Sequence, residues 1–330
     1  MIRITDRTLS CIDDRTSEKP AVVRFLHFLI KMDPGAIELS EKMYQLLSPL
    51  PEYSYVLRIE NAANAEKYPH ITEFICRNAH GAGGTPDNKK IRTEISLDNT
   101  LKASAETIAR YAGCANVRVQ GLDYLMCDDY LRAFVSLKKS FNGSVEFCPR
   151  NHFNCATALA AEWITSGSGN CVVTSFGGIG GFAPTEEVIM FLRENHLRNE
   201  NKTYSFFPEM ARLFHKLTKK NVSLNKPIIG SRIFCVESGI HVDGILKQPK
   251  SYEPFAPEII GQKRKFVLGK HSGTASVRVK LSEFDIKCAQ EHIPFILEQI
   301  KTKAVEKSGE VTDMEFVELI NEHIAKDRVK

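Results

Sequence analysis

The sequence predicts an α/β protein: a closed (β/α)8 TIM barrel followed by a C-terminal α+β extension made of an arm and a small helical subdomain. Three observations carry this. Short β-rich runs alternate with helix-like segments through the first two-thirds of the 330 residues. The runs number eight, which is the count that closes such a barrel. After residue 200 the alternation stops and turn-rich polar sequence takes over. An open, doubly wound sheet is the alternative that strand counting leaves standing.

The candidate strands are Ile2–Leu9, Ala36–Leu39, Tyr53–Ile59, Glu73–Cys76, Ile91–Ser96, Asn116–Gln120, Ser144–Phe147 and Cys171–Ser175. Ser17–Met32 is the first helix. Ser17 stands as N-cap before Pro20, and apolar residues fall at 22, 23, 26, 29 and 30, close to the 3.6-residue period. Leu101–Tyr111, Asp128–Phe141, Cys155–Ser166 and Thr185–Asn195 repeat the pattern. The fourth unit is weak, because "NAHGAGGTPDNKK" offers a glycine-rich loop in place of a helix. Beyond 200, Ser205–Lys220 is a helix with basic last turns, which suit its dipole. "NVSLNKPIIG" is an extended linker, "RKFVLGKHSGTASVRVKL" a strand or hairpin turning at Gly269–Gly273, and Ser282–Lys326 two or three amphipathic helices. The expected domains are the barrel at 1–200, a linker helix and arm at 201–262, and a helical subdomain at 263–330.

Composition narrows the function classes. The chain is 43% hydrophobic and 25% charged with net charge +4, and its basic residues are dispersed. That speaks against nucleic-acid binding. No apolar run approaches the ~20 residues that span a bilayer, and the opening "MIRITDRTLS" lacks the apolar core of a signal peptide. Nine scattered cysteines without a CxxC pair read as reduced thiols, so the expected location is the cytoplasm.

In a barrel, chemistry sits just past the C-terminal ends of the strands. The acid–base candidates there are His80, Asp98, Asp123 and His152. "SFGGIGGFAP" after the eighth strand has the glycines of an anion-cradling loop, although it lacks the Lys-Ser/Thr of a P-loop. Cys11 and Cys148 lie at the ends of strands 1 and 7 and could hold a soft metal with His152, act as nucleophiles with His152 as base, or simply fill space. The extension is richer: Glu237, His241, Asp243, Lys247 and Tyr252 fall in one segment, and His and Tyr suit acid–base work near neutral pH.

Residues 225–273, "NKPIIGSRIFCVESGIHVDGILKQPKSYEPFAPEIIG" and then "FVLGKHSG", closely resemble the segment after the barrel in homocitrate synthases and, less closely, isopropylmalate synthases. The barrel half is similar more faintly. "ITDRTL" resembles the start of the family's D-T-T-L-R-D-G-E-Q, and "AIELS" its second strand. "VEFCPRNHFNCATALAAEWITSG" resembles E-F-H-x-H-N-D-x-G-x-A-x-A-N, and "VVTSFGGIGG" the T-T-V-N-G-I-G-E that follows, with Thr174 as a candidate substrate contact. The resemblance implies a metal-dependent Claisen condensation. A divalent metal polarises an α-keto acid, the acetyl-CoA methyl is deprotonated and attacks it, and the thioester is hydrolysed. It also implies that a partner's extension completes each site with a His and a Tyr, here His241 and Tyr252, with Glu237 nearby.

The departures fall on the metal site. Ser10 stands where the family's keto-acid Arg would be, and Cys11 where its acidic ligand would be. Cys148 and Arg150 replace the two histidines of H-x-H, Asn151–His152 the Asn-Asp, and Gly181–Phe182 part of the last loop. Arg150 is expected to place a cation near the metal position. The resemblance therefore points to the non-metal-binding, alpha-type subunit of a split, nitrogen-fixation-type homocitrate synthase. Such a subunit would hold no cofactor of its own, would be inactive alone, and would supply its arm to a metal-bearing partner barrel, with self-association also open. A non-catalytic regulatory or small-molecule-binding member of the family is the alternative. 2-Oxoglutarate is the expected keto acid.

Overall fold

The computed structural model describes residues 2–12, 18–77, 89–97, 104–123 and 130–327, with side chains through 323. Eight parallel strands close on themselves: β1 (Arg3–Asp6), β2 (Gly35–Ser40), β3 (Tyr55–Ile59), β4 (Glu73–Cys76), β5 (Lys90–Ser96), β6 (Asn116–Gln120), β7 (Ser144–Cys148) and β8 (Cys171–Thr174). β8 pairs back onto β1 with Arg3 opposite Cys171 and Asp6 opposite Thr174, so the barrel is closed and the open-sheet alternative falls. The expected N-cap Ser17, the helix start at 101–103, Asp128, Cys127, His80 and Asp98 lie outside the described residues, as does most of the glycine-rich fourth unit.

The helices of the barrel half are α1 (Thr8–Cys11), α2 (Lys19–Met32), α3 (Glu41–Leu47), α4 (Ala105–Tyr111), α5 (Tyr130–Lys139), α6 (Ala156–Thr165), α7 (Thr185–Glu194) and α8 (Phe207–Thr218). The first strand is shorter than the sequence suggests. It stops at Asp6, and Thr8–Cys11 winds one helical turn because the Asp6 carboxylate accepts the Thr8 N–H at 2.9 Å. α3 is short enough to hide in the sequence; Ser40 caps it by accepting the Met43 N–H at 3.2 Å. α2 buries Val22, Phe25, Leu26 and Leu29. Its Phe25 meets Phe176 edge-on at 5.8 Å and Phe214 of α8 at 6.4 Å.

The chain divides into two compact units. The first holds the barrel and α8, so the helix expected to belong to a linker and arm packs with the barrel. The second comprises residues 203–205, 224–226 and 230–330. It contains a two-stranded parallel ladder of β9 (Cys235–Val236) and β10 (Lys265–Phe266), and the helices α9 (Gly239–Lys247), α10 (Thr274–Glu283), α11 (Ile293–Glu306) and α12 (Asp313–Asp327). Leu268, Val277, Ile296, Ile300, Val311 and Phe316 form its main core. Two sequence expectations change here. "ESGIHVDG" is the start of a helix rather than a loop, and the expected hairpin after Gly269 is helix α10, whose Val277 and Leu281 bury at helical spacing.

Candidate functional site

The interior of the barrel at its C-terminal end is ionic. Glu38 (β2), Arg58 (β3), Glu94 (β5), Arg118 (β6) and Glu146 (β7) all project inward, and Arg7 joins them from the end of β1. Arg58 bonds Glu38 through Nε at 3.0 Å and holds both Glu94 oxygens at 3.0 and 2.6 Å. Arg118, fully buried, pairs with Glu38 and with Glu146, the latter at 2.7 Å. Arg7 Nε lies 3.7 Å from Glu38 Oε1, and its Nη1 lies 3.8 Å from Glu94 Oε2 and 3.6 Å from Cys148 Sγ. Its Cζ sits 4.1 Å from the centre of the Phe182 ring. Two buried guanidiniums, Arg7 and Arg118, and the partly buried Arg58 thus meet three buried carboxylates.

The electrostatics follow. Burial alone would raise the Glu38 carboxyl, but Arg118, Arg58 and Arg7 hold it well below the usual range. Burial likewise opposes Glu94, yet its hydrogen bonds and charge pairing with Arg58 bring it down to about 2. Burial pushes the Cys148 thiol up to about 12 and raises Cys11 as well. Asp6, buried beneath the network, is raised to about 6 mainly by desolvation, against the lowering hydrogen bonds from Thr185 and Thr8.

The barrel residues singled out from sequence come together only in part. Cys11 and Cys148 pack in one apolar cluster with Val173 and Phe182. The Ser10 hydroxyl lies 2.9 Å from Glu38 Oε1. The Arg150 side chain rests on the same Phe182 ring as Arg7, its Cζ 4.7 Å from the ring centre. The cation in contact with Cys148 is Arg7, which the sequence reading did not single out, while Arg150 stands at the neighbouring Phe182 ring. His152 turns to Asp123, 2.6 Å away, rather than to either thiol. Thr174 is fully buried, 2.7 Å from the Thr185 hydroxyl. In the glycine loop, Gly177, Gly178, Gly180 and Gly181 all have positive φ. Its N–H groups are largely spent within the protein: Phe176 donates to Thr8 Oγ1, Gly177 to Glu186 and Gly178 to the Ser175 carbonyl. An anion cradle is not what that loop forms.

This donor set does not fit a divalent metal. Thiols held in the protonated form are poor ligands, the carboxylates are already claimed by guanidiniums, and a cation stands beside Cys148. No group of three or more His, Cys, Asp or Glu suited to a metal occurs among the described residues. Nor is either thiol activated as a nucleophile.

The arm is arranged differently. His241 lies in the first turn of α9 and is exposed, and Tyr252 follows the helix at 46% exposure. Their ring centres are 5.7 Å apart. Glu237 precedes α9 and turns away from them, its Oε1 accepting the His271 backbone N–H at 2.9 Å. It also lines a cavity of about 400 Å³ with Lys270, Ser308 and Glu310.

The sequence reading missed Arg7, Arg58, Arg118, Glu38, Glu94 and Glu146 as a group. Their signal was present. "AIELS", "YVLRI", "IRTEIS", "NVRVQ" and "SVEFC" each carry a charged residue inside an apolar run. Parallel strands covered on both faces ordinarily read as continuous apolar segments.

Fold and site together define a (β/α)8 barrel with an ionic interior and a C-terminal α+β extension. Residues 228–308 match the family described as "Homocitrate synthase post-HMGL domain-like". The chain is 38% identical over 210 residues to the homocitrate synthase omega subunit of Clostridium pasteurianum, covering 63% of this chain and 58% of that one. It is 36% identical to homocitrate synthase AksA of Methanothermobacter thermautotrophicus (61% and 50% covered) and 33% identical to 2-isopropylmalate synthase of Methanocaldococcus jannaschii (58% and 38%). It thus spans between about two-fifths and three-fifths of the length of these relatives. Pyruvate carboxylase of Rhizobium etli matches in fold alone, with TM-score 0.50 and 9% identity over 76% of this chain and 28% of that one. The chain is similar to homocitrate synthases and a 2-isopropylmalate synthase, and its segment after the barrel matches the homocitrate synthase domain model. No helix among the described residues is long and apolar enough to cross a membrane.

Proposed function

We propose that this chain is the metal-free subunit of a two-subunit homocitrate synthase, inactive alone, whose arm works on a partner's barrel. The observation that carries the reading is the contrast within one chain. The barrel mouth is filled by guanidiniums and protonated thiols, while His241 of α9 and Tyr252 just beyond it stand together and exposed. The sequence likeness to a protein named as an omega subunit supports a division of labour, and favours that letter over the alpha label.

In this reading the partner subunit would hold a divalent metal, which would supply Lewis-acid polarisation of the keto group of 2-oxoglutarate. What this chain contributes is proton handling: His241 and Tyr252 take and hold the proton that the acetyl-CoA methyl loses. Glu237, bonded to the His271 N–H, orients the turn behind α9. Thr174 and the barrel positions Ser10, Cys11, Cys148 and Arg150 take no part in the chemistry. The location is cytoplasmic, and a role in nitrogen fixation follows from the same division of labour.

The test is reconstitution. The purified chain should release no thiol from acetyl-CoA with 2-oxoglutarate and should carry no stoichiometric Zn, Mn or Mg after dialysis. Mixed with a homocitrate synthase barrel that has an intact metal site but lacks its own extension, it should restore turnover. Activity of the chain alone, or one tightly held metal per chain, sinks the reading. A second reading, a small-molecule-binding regulator, is favoured by one observation: the Arg150 guanidinium stacks on Phe182 without an anionic partner among the described residues, as a carboxylate receptor would. Failure to restore turnover, together with saturable 2-oxoglutarate binding lost in Arg150→Ala, would select it.

A further inference from the structure

The structure assigns to Arg7 the part of a built-in cation, which holds the buried carboxylates of Glu38 and Glu94 and keeps a divalent ion out of the barrel mouth. This deepens the proposed function, since it rests on the metal being absent from this subunit.

The argument starts from what the interior demands. The Glu38 and Glu94 side chains are 0% and 2% exposed. Buried carboxylates need a compensating cation, from a side chain or from an ion. Arg58 and Arg118 supply two positive charges to an interior that also contains Glu146, and the exposed Arg77 reaches Glu94 Oε1 from the rim at 3.4 Å. Arg7 is the further guanidinium that Glu38 and Glu94 meet inside the barrel.

Its placement is fixed rather than incidental. The Arg7 backbone N–H donates to the Thr174 carbonyl at 2.9 Å, continuing the β1–β8 ladder and anchoring the residue at the strand end. From there the side chain reaches the mouth at 7% exposure and is covered by the Phe182 ring. Its Nη1 lies 3.6 Å from Cys148 Sγ, and Cys148 is the position that the sequence resemblance matches to a metal-binding histidine. A metal ion there would stand against a fixed positive charge beside the buried Cys148, where like charges repel more strongly than in water. The carboxylates that could otherwise attract it are already within 3.8 Å of Arg7. For a two-barrel complex the consequence is simple: the metal goes to one barrel only.

Thermal melting of the purified chain with 1 mM Mn²⁺ or with EDTA tests this, using Arg7→Met and Arg7→Lys. Met fills a similar linear volume without charge; Lys keeps the charge. Wild type should melt at one temperature in both buffers. Arg7→Met should melt lower in EDTA by roughly 10 °C and recover several degrees with Mn²⁺, whereas Arg7→Lys should stay within a few degrees of wild type in both. An Arg7→Met that melts as wild type does, or that melts lower and gains nothing from Mn²⁺, overturns the assignment. Should Arg7→Met give no soluble protein, Arg7→Lys decides: a variant equally insoluble shows that charge is not what Arg7 supplies. The reconstitution assay is independent of these melts, so loss of this assignment leaves the proposed function standing or falling by its own test.

Discussion

The rings of His241 and Tyr252 lie 5.7 Å apart across a glycine. Gly244, three residues beyond His241 on the same face of α9, leaves room for the tyrosine ring: a Cβ there would sit 2.2 Å from the Tyr252 hydroxyl. The contact is with the tip of a half-exposed side chain, so an added methyl moves the ring rather than the helix. Gly244→Ala is therefore expected to leave the fold intact, and even to stabilise α9 by up to about 1 kcal/mol through helix propensity. It should still lower turnover of the reconstituted complex at least tenfold. A melting curve and a thiol-release assay on the same preparation check both halves; full activity in Gly244→Ala would show that the two rings need not be together.

Direct removal of the acid–base group is the stronger perturbation. His241→Ala should reduce turnover of the mixed complex by about 10²-fold or more, the usual contribution of a positioned proton-transfer group. Folding and binding to the partner barrel should be unchanged, since the side chain is exposed. Cys148→Ala, in the mouth of the chain's own barrel, should leave turnover nearly as it was. Steady-state rates of the two variants with a common partner preparation settle which end of the chain does chemistry. If Cys148→Ala is the damaging change, the arm is the wrong end.

Most of the barrel was legible because its elements follow local rules. Each strand is a short β-rich run, each long helix has its 3.6-residue stripe, and the eight-fold count decides closure. What stayed hidden depends on pairing across the barrel. Arg118 and Glu38 are 80 residues apart, and nothing local to either says that they meet at its centre. Arg7 was passed over because attention fell on Ser10 and Cys11, three and four positions later, where the resemblance breaks. His241 and Tyr252 are singled out by the resemblance, but the closeness of their rings is not, since "ESGIHVDG" looks like a loop when its two glycines are taken as breakers. One of them, Gly244, is there for Tyr252.

The ionic interior makes a stability prediction separate from function. Arg118→Met leaves Glu38 and Glu146 without their main partner in a fully buried place. Breaking a buried pair from one side costs about 3–5 kcal/mol, so the urea midpoint should fall sharply. Removing charge from both sides in Arg118→Met/Glu146→Leu should recover part of the loss, because the surviving carboxylates keep Arg58 and Arg7. Equilibrium urea unfolding of the two variants checks this. A double variant less stable than the single one would mean that shape, not charge, governs the centre of the barrel.

The last prediction concerns pH and isolates Asp6. Its carboxyl is raised from 3.8 to about 6, chiefly by burial, with Thr185 and Thr8 hydrogen bonds opposing and Glu38 adding to the rise. An acid whose folded value is raised contributes stability that is fully present below its unfolded value, and loses it as pH climbs through the folded one. The shift corresponds to about 3 kcal/mol in full, of which about 2 kcal/mol falls between pH 4.5 and 7. Glu94, lowered to about 2, has the opposite sign: its contribution is present above 4.5 and is lost as pH falls toward 2. The window above pH 4.5 therefore belongs to Asp6 among these interior carboxyls. Asp6→Asn keeps one oxygen to accept the Thr8 N–H, presents an amide NH2 to the Thr185 hydroxyl where the second oxygen was, and cannot ionise. Relative to wild type it should gain about 2 kcal/mol as pH is raised from 4.5 to 7, read as a widening gap between urea midpoints. Histidines titrating elsewhere affect both proteins alike and cancel in the difference. A gap that stays constant across that window would show that Asp6 is ionised throughout, and that the network above it, rather than its burial, sets its charge.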